Sequence, residues 1–419
     1  MKLVCKYFLF AILVSIALYT IPDQVKAEEP QPEAIKTITN VGGYAFLNEE
    51  KIGYATFFAG QRYRIESEDE RFYHVTFGNG LIFVDKKFAQ KVPFPIKTVL
   101  PKGTSTVIPK RRTHILSVPK PNSSSLGIIN PGIRLPVIKE VKGYYEVNFG
   151  GKKGYIAKMQ TNTDNGIPVL MYHHMMYDKA LSVQANNNMT IEFNAFKEQM
   201  RFLKENNWKT ITMQQLDDWL AYKHDLPDKV VAITFDDGIT STVNLAYPLL
   251  KELNYQATSF VITGKIRQSA DYWIAKANDY EYVGITEIQK TVDVYDYQHH
   301  SHDMHLYKHG SHFGMFKTES YEAIKNDILS GNVQLGKAFK HDINRTKYLA
   351  YPFGHYNQTT IDAVRDAGIR LAFTTKTGNV KLKDSPFELK RQGIAPYHTL
   401  GDFASKLKGT YNILGEMKE

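Results

Sequence analysis

The chain has 419 residues, of which 43% are hydrophobic and 23% charged. That balance excludes a disordered chain and a bundle of membrane spans, and the length allows two or three domains. One cysteine and a formal charge of +9 restrict the chemistry further once the N-terminus is read.

Lys2 and Lys6 precede an apolar run from Tyr7 to Ile21, and "VKA" at Val25–Ala27 offers small residues where a signal peptidase reads. The run is short for a membrane span. Residues 1–27 are therefore expected to be a cleaved export signal, with an uncleaved N-terminal anchor as the alternative. Cys5 lies ahead of the apolar run and leaves with the signal. The mature chain then has neither disulfide nor thiolate chemistry, so any metal must rest on His, Asp or Glu. Removing Lys2, Lys6, Lys26 and Asp23 takes the charge from +9 to +7. Export argues against nucleic acid as a partner; anionic cell-wall polymers and general solubility each account for the charge.

Residues 28–37, "EEPQPEAIKT", are polar and proline-bearing and are expected to be a linker. An internal repeat follows: "YHVTFG" at Tyr73–Gly78 returns as "YEVNFG" at Tyr145–Gly150, and each copy leads into a glycine turn and an aromatic strand, "GNGLIFV" and "GGKKGYIA". Short alternating runs between Gly-rich turns predict small antiparallel β modules, over 38–95 and 96–160. The pattern "RFYHVTFGNGLIFV" resembles bacterial SH3-like domains, which implies a module that binds the cell wall; a β spacer without a ligand fits the same pattern.

From Ile167 the texture changes. The apolar runs "IPVLMY" (167–172), "VVAITF" (230–235), "ATSFVI" (257–262), "VYDYQ" (294–298), "YLAY" (348–351) and "RLAFTT" (370–375) alternate with amphipathic segments, such as the one where Phe193, Phe196, Met200 and Leu203 recur at helical spacing. Buried strands alternating with helices predict a parallel α/β sheet or barrel over 161–419, with its chemistry at the C-terminal ends of the strands. Four polar clusters fall at such ends: "MYHH" (Met171–His174), "TFDDG" (Thr234–Gly238), "HHSHDMH" (His299–His305) and "YPFG" (Tyr351–Gly354). Each alone is an ordinary turn or a His-rich tract. Together they can converge on one mouth.

"PVLMYHH", "TFDDG", "HSHDMH" and "YPFG" resemble the polysaccharide deacetylases of carbohydrate esterase family four, the NodB-homology domain, from about Gly166 to the C-terminus. The five-residue spacing of His300 and His305, and the "YH" at the first strand, resemble its exopolysaccharide-deacetylase branch. The resemblance implies a distorted (β/α) barrel, here preceded by two small all-β modules, and a secreted, metal-dependent N-deacetylase acting on N-acetylglucosamine residues of peptidoglycan, poly-N-acetylglucosamine or a chitin-like oligomer. By the same carry-over, Asp237, His300 and His305 hold a divalent metal, Asp236 is the general base and His173 the general acid. Tyr351, Pro352, Phe353 and Gly354 meet the substrate, one of them through a backbone N–H, and Leu170 and Met171 flank the acetyl methyl. His302 and Asp303 orient the ligands. Zinc suits this donor set first, while cobalt, nickel, manganese and iron accept it too. His174 and His398 remain alternatives for the acid, and His299, His309 and His312 receive no role. The family's arginine before the proline motif is missing in "KYLAYPFG"; Arg391 in "ELKRQG" is expected to replace it in space. A glycan-binding protein without turnover and an O-acetyl esterase are the competing functions.

Overall fold

The computed structural model describes residues 33–95, 98–177, 186–269, 281–339, 342 and 345–411. The expected export signal, Cys5 and the first half of the expected linker, 28–32, lie outside these residues.

The apolar runs of the C-terminal part become seven strands: β1 (Val169–Tyr172), β2 (Val230–Phe235), β3 (Ala257–Val261), β4 (Tyr295–His299), β5 (Tyr348–Ala350), β6 (Leu371–Thr377) and β7 (Leu389–Gly393). Each pairs in parallel with the next, and β7 pairs with β1 to close a seven-stranded barrel. Closure leaves this sheet no free edge to protect. Strand side chains alternate between faces. Leu170, Tyr172, Ile233 and Phe235 belong to one hydrophobic cluster with Phe196, Met200 and Leu203 of the helix Phe193–Glu205, the helix whose spacing the sequence shows. A parallel barrel brings every strand's C-terminal end to one mouth.

The N-terminal part is β-rich. The repeat forms two equivalent hairpins, Phe72–Phe77 with Gly80–Asp85 and Tyr144–Phe149 with Lys152–Ala157. They meet where Phe77 pairs with Phe149, two residues related by the offset of the repeat. The segments 38–95 and 96–160 are interleaved: Glu50–Phe57 pairs with Ser125–Ile129, and one hydrophobic cluster runs from Ile35 to Ile156. Residues 33–37, expected as linker, are instead a strand paired on both sides, with Arg62–Glu68 and with Ala89–Pro93. Its polar sequence hides this because its hydrogen bonds and the burial of Ala34 and Ile35 come from partners distant in the chain.

The β-rich part docks on the barrel ahead of β2, the end opposite the mouth. Leu47 joins a barrel cluster containing Trp219, Leu226 and Val230. Buried Arg134 binds Asp164 through Nε at 2.5 Å, Pro227 O through Nη1 at 2.6 Å and Asp228 O through Nη2 at 3.0 Å. Burial acts to raise the Asp164 carboxyl, but the Arg134 charge and hydrogen bonds outweigh it and hold the group below its ordinary range. Arg134→Ala leaves that carboxylate buried and unpaired, so denaturant titration is expected to show a loss of about 3–5 kcal/mol. A carboxyl lowered by folding stabilises above its unfolded pKa of about 3.9. The gap between the native protein and Arg134→Ala should therefore persist near neutrality and narrow as the pH falls through the folded value.

Candidate active site

Asp236 and Asp237 follow β2 directly. The backbone of Asp236 still donates to Tyr172 O at 2.9 Å, which fixes it beside β1. Asp237 then turns into the left-handed region (φ 71°), a conformation that few residues other than glycine adopt. Gly238 continues there (φ 73°), and a Cβ on it would lie 2.6 Å from Val261 Cγ1. This tight turn aims the two adjacent carboxylates in different directions.

Asp236 is buried and meets Arg391 of β7 side by side, Oδ1 with Nη1 and Oδ2 with Nη2, both at 2.7 Å. Arg391 also donates to Thr374 O at 3.1 Å and Thr234 Oγ1 at 3.3 Å. Burial alone would raise the Asp236 carboxyl; the Arg391 charge, assisted by His300, prevails and holds it below the ordinary range. The guanidinium expected before the proline motif thus arrives from a different strand. On the other side of Asp236, His173 Nε2 lies 3.8 Å from Oδ2.

Asp237 Oδ1 lies 3.4 Å from both His300 Nε2 and His305 Nε2, and one ligand atom from each of these three residues lies within 4.8 Å of the others. His300 immediately follows β4, its N–H bonded to Val261 O at 2.9 Å. Its Nδ1 donates to Ala350 O at 2.7 Å, which leaves Nε2 as the free ligand atom. Burial pushes the His305 imidazole down to about 4, so it is neutral near pH 7, the form that binds a metal. Two imidazoles and a carboxylate converging from three directions fit a divalent cation and leave room for further ligands.

His302 and Asp303 do something other than orient the ligands through their side chains. His302 Nδ1 meets Thr263 Oγ1 at 2.9 Å, and Asp303 is exposed. Their backbone N–H groups instead donate to Asp327, at 2.7 and 2.8 Å. This buried carboxylate on the helix Tyr321–Gly336 clamps the loop carrying both histidines. Sequence reasoning missed Asp327, because its only signal is an acidic residue amid the core positions of a helix.

In "YPFG", Tyr351 is not at the mouth. Its ring is buried against Tyr356 and its hydroxyl donates to Phe387 O at 3.0 Å. Pro352 is buried too, and Phe353 takes a left-handed φ of 58°. The N–H groups of Gly354 and His355 bond back to Tyr351 O and Pro352 O, whereas that of Phe353 has no hydrogen-bond partner among the described residues. Leu170 likewise points away, into the cluster with Phe196, because adjacent strand residues face opposite sides. Met171 takes the other face, beside Gly393. The alternative acids are engaged elsewhere: His174 is buried with Nδ1 on Ser241 Oγ at 3.0 Å, and His398 Nδ1 accepts from Ala395 N at 2.9 Å. His299 is buried and donates to Ile328 O at 3.1 Å, while His309 and His312 are exposed.

Removing one imidazole from the cluster should cost it the metal. His305→Ala is expected to lower bound metal well below one equivalent by elemental analysis, with the fold retained, since His305 lies at the rim. The Arg391 contact makes a separate prediction. Arg391→Met removes the largest influence opposing burial at Asp236 and leaves only the nearby histidines, so its pKa should rise and the acid limb of the pH–rate profile should move to higher pH.

Residues 223–372 match the polysaccharide deacetylase family model. The chain is 27% identical over 206 residues to a poly-beta-1,6-N-acetyl-D-glucosamine N-deacetylase of Staphylococcus aureus, covering 49% of this chain and 67% of that one. Among solved structures it is similar to the Streptococcus pyogenes deacetylase PplD in complex with acetate (TM-score 0.49, 23% identity, 58% of this chain and 99% of that one). It is also similar to IcaB from Ammonifex degensii (TM-score 0.49, 23% identity, 59% and 98%). The strand-end aspartates, the histidine loop and the proline turn all lie within the matched segment, and residues 223–372 carry a polysaccharide deacetylase domain.

Proposed function

We propose that this protein is a secreted, metal-dependent N-deacetylase of an extracellular glycan containing N-acetylglucosamine. The observation that carries the reading is the pair of adjacent aspartates with divided tasks: Asp236 locked on Arg391 with His173 beside it, and Asp237 facing His300 and His305. The name of the staphylococcal relative favours a β-1,6-linked polymer. Export rests on the N-terminal sequence; among the described residues no helix is long and apolar enough to cross a membrane. Wall attachment through the β-rich part is consistent with its place at the end of the barrel opposite the mouth.

Asp237, His300 and His305 would hold a divalent cation, zinc first. Bound there, it would supply Lewis acidity to the attacking water and to the acetyl carbonyl. Asp236 is held ionised by Arg391 and accepts a proton from the attacking water. Arg391 weakens Asp236 as a base but fixes its orientation and keeps it charged across the neutral range. The free N–H of Phe353 offers a donor to the oxyanion that develops as the carbonyl is attacked. His173 reaches the same space from β1 and donates the proton that lets the amine depart.

Acetate release from a β-1,6-linked N-acetylglucosamine oligomer tests the reading. Release should stop with a chelator and return when metal is added back. Asp236→Asn keeps the shape but cannot take the proton, so turnover should fall by roughly 10²–10⁴-fold with bound metal unchanged. No acetate from the metal-loaded native protein would overturn the proposal.

A further inference from the structure

Beyond the histidine loop, the chain makes a small hairpin that the chemistry above does not use. Met315 N donates to Leu306 O at 2.9 Å and Lys308 N to Phe313 O at 3.0 Å, with Tyr307 opposite Gly314. The hairpin is tied to the proline turn, since Gly314 N donates to His355 Nδ1 at 2.9 Å. Gly314 also makes room there: a Cβ on it would lie 2.9 Å from the Phe353 ring. In the space so formed, Tyr307 stacks on Phe353 with centroids 4.3 Å apart and planes at 26°, and Phe353 lies 4.5 Å from the ring of His305. Tyr307 is therefore two ring contacts from the metal cluster, yet it is 55% exposed. Leu306 and Phe313, on the same hairpin, are 59% and 43% exposed.

An aromatic ring held rigidly from behind and left open in front, next to a catalytic mouth, is a surface for a ligand rather than part of a core. Its open side suits a flat ligand with an apolar C–H face and a rim of hydroxyls, because tyrosine itself joins an apolar ring to a polar tip. A pyranose unit has those properties. We propose that Tyr307 is the stacking platform for a sugar unit neighbouring the one whose acetyl group lies at the metal cluster, so that the site reads a polymer and not a single sugar. This rests on the reading of the mouth as a glycan deacetylase site.

The test uses the full-length protein treated with chelator to block turnover. It is titrated calorimetrically with a β-1,6-linked N-acetylglucosamine pentamer and with free N-acetylglucosamine. Native protein should bind the pentamer more tightly than the monosaccharide. Tyr307→Ala should weaken pentamer binding on the order of 10-fold, the effect of losing one covered ring face. Tyr307→Phe should stay within about two-fold, since the ring carries the contact. Thermal unfolding should be little changed for either variant, because the side chain is largely exposed. Equal pentamer affinity in Tyr307→Ala and native protein would overturn the proposal, as would a native protein that binds the pentamer no better than the monosaccharide. Acetate release by the metal-loaded protein is scored separately. If Tyr307 governs pentamer binding but no acetate is ever released, the stacking site stands and the deacetylase reading falls.

Discussion

The buried pair of Arg391 and Asp236 is the contact on which the site depends. A lone carboxylate at this depth would take up a proton and lose its charge. A lone guanidinium there would be an uncompensated charge. Joined by two parallel 2.7 Å contacts, each tolerates the burial of the other, and the planar fork also sets the direction in which Asp236 faces. Because Arg391 lies on β7 and Asp236 directly after β2, with β1 between them, the pair forms only when the barrel has closed. The chemistry is thus conditional on the complete fold.

Around that pair the loops are held in conformations that extended strands cannot supply. Asp237, Ser301 and Phe353 all have positive φ. Each stands where the chain leaves a barrel strand and must present a group to the mouth: a carboxylate, the start of the histidine loop, and a backbone N–H. Such conformations are unfavourable by themselves and persist because the surroundings hold them. Asp327 does so from below the histidine loop with two backbone hydrogen bonds, and the Ala350 carbonyl does so for the His300 ring.

The β-rich part adds nothing to the mouth through the contacts that join it to the barrel. Its buried arginine, its Leu47 and its hydrogen bonds to the chain at 225–228 all meet the barrel ahead of β2. That junction lies at the end of the barrel opposite the cluster of Asp237, His300 and His305.

Much of the barrel was legible in the sequence, because its strands are short apolar runs and its helices carry a period of their own; Val230–Phe235 is read from its residues alone. The polar clusters were legible as well, since a parallel barrel puts strand ends at one mouth whatever the details. The resemblance of "TFDDG" and "HSHDMH" to a known family singled out Asp237, His300 and His305, which the fold brings together. Facing was decided by the tertiary structure: Leu170 and Tyr351 sit beside functional residues in the chain yet point into cores, as alternation along a strand and a buried hydroxyl partner require. Partners far apart were decided there too. Arg391 and Asp236 are 155 residues apart, Asp327 reaches a loop two dozen residues earlier, and the strand at 33–37 forms only against its two neighbours. Local sequence records the period of an element and the chemistry of its residues. Which distant group neutralises a buried charge depends on how the chain closes, and that exists only in three dimensions.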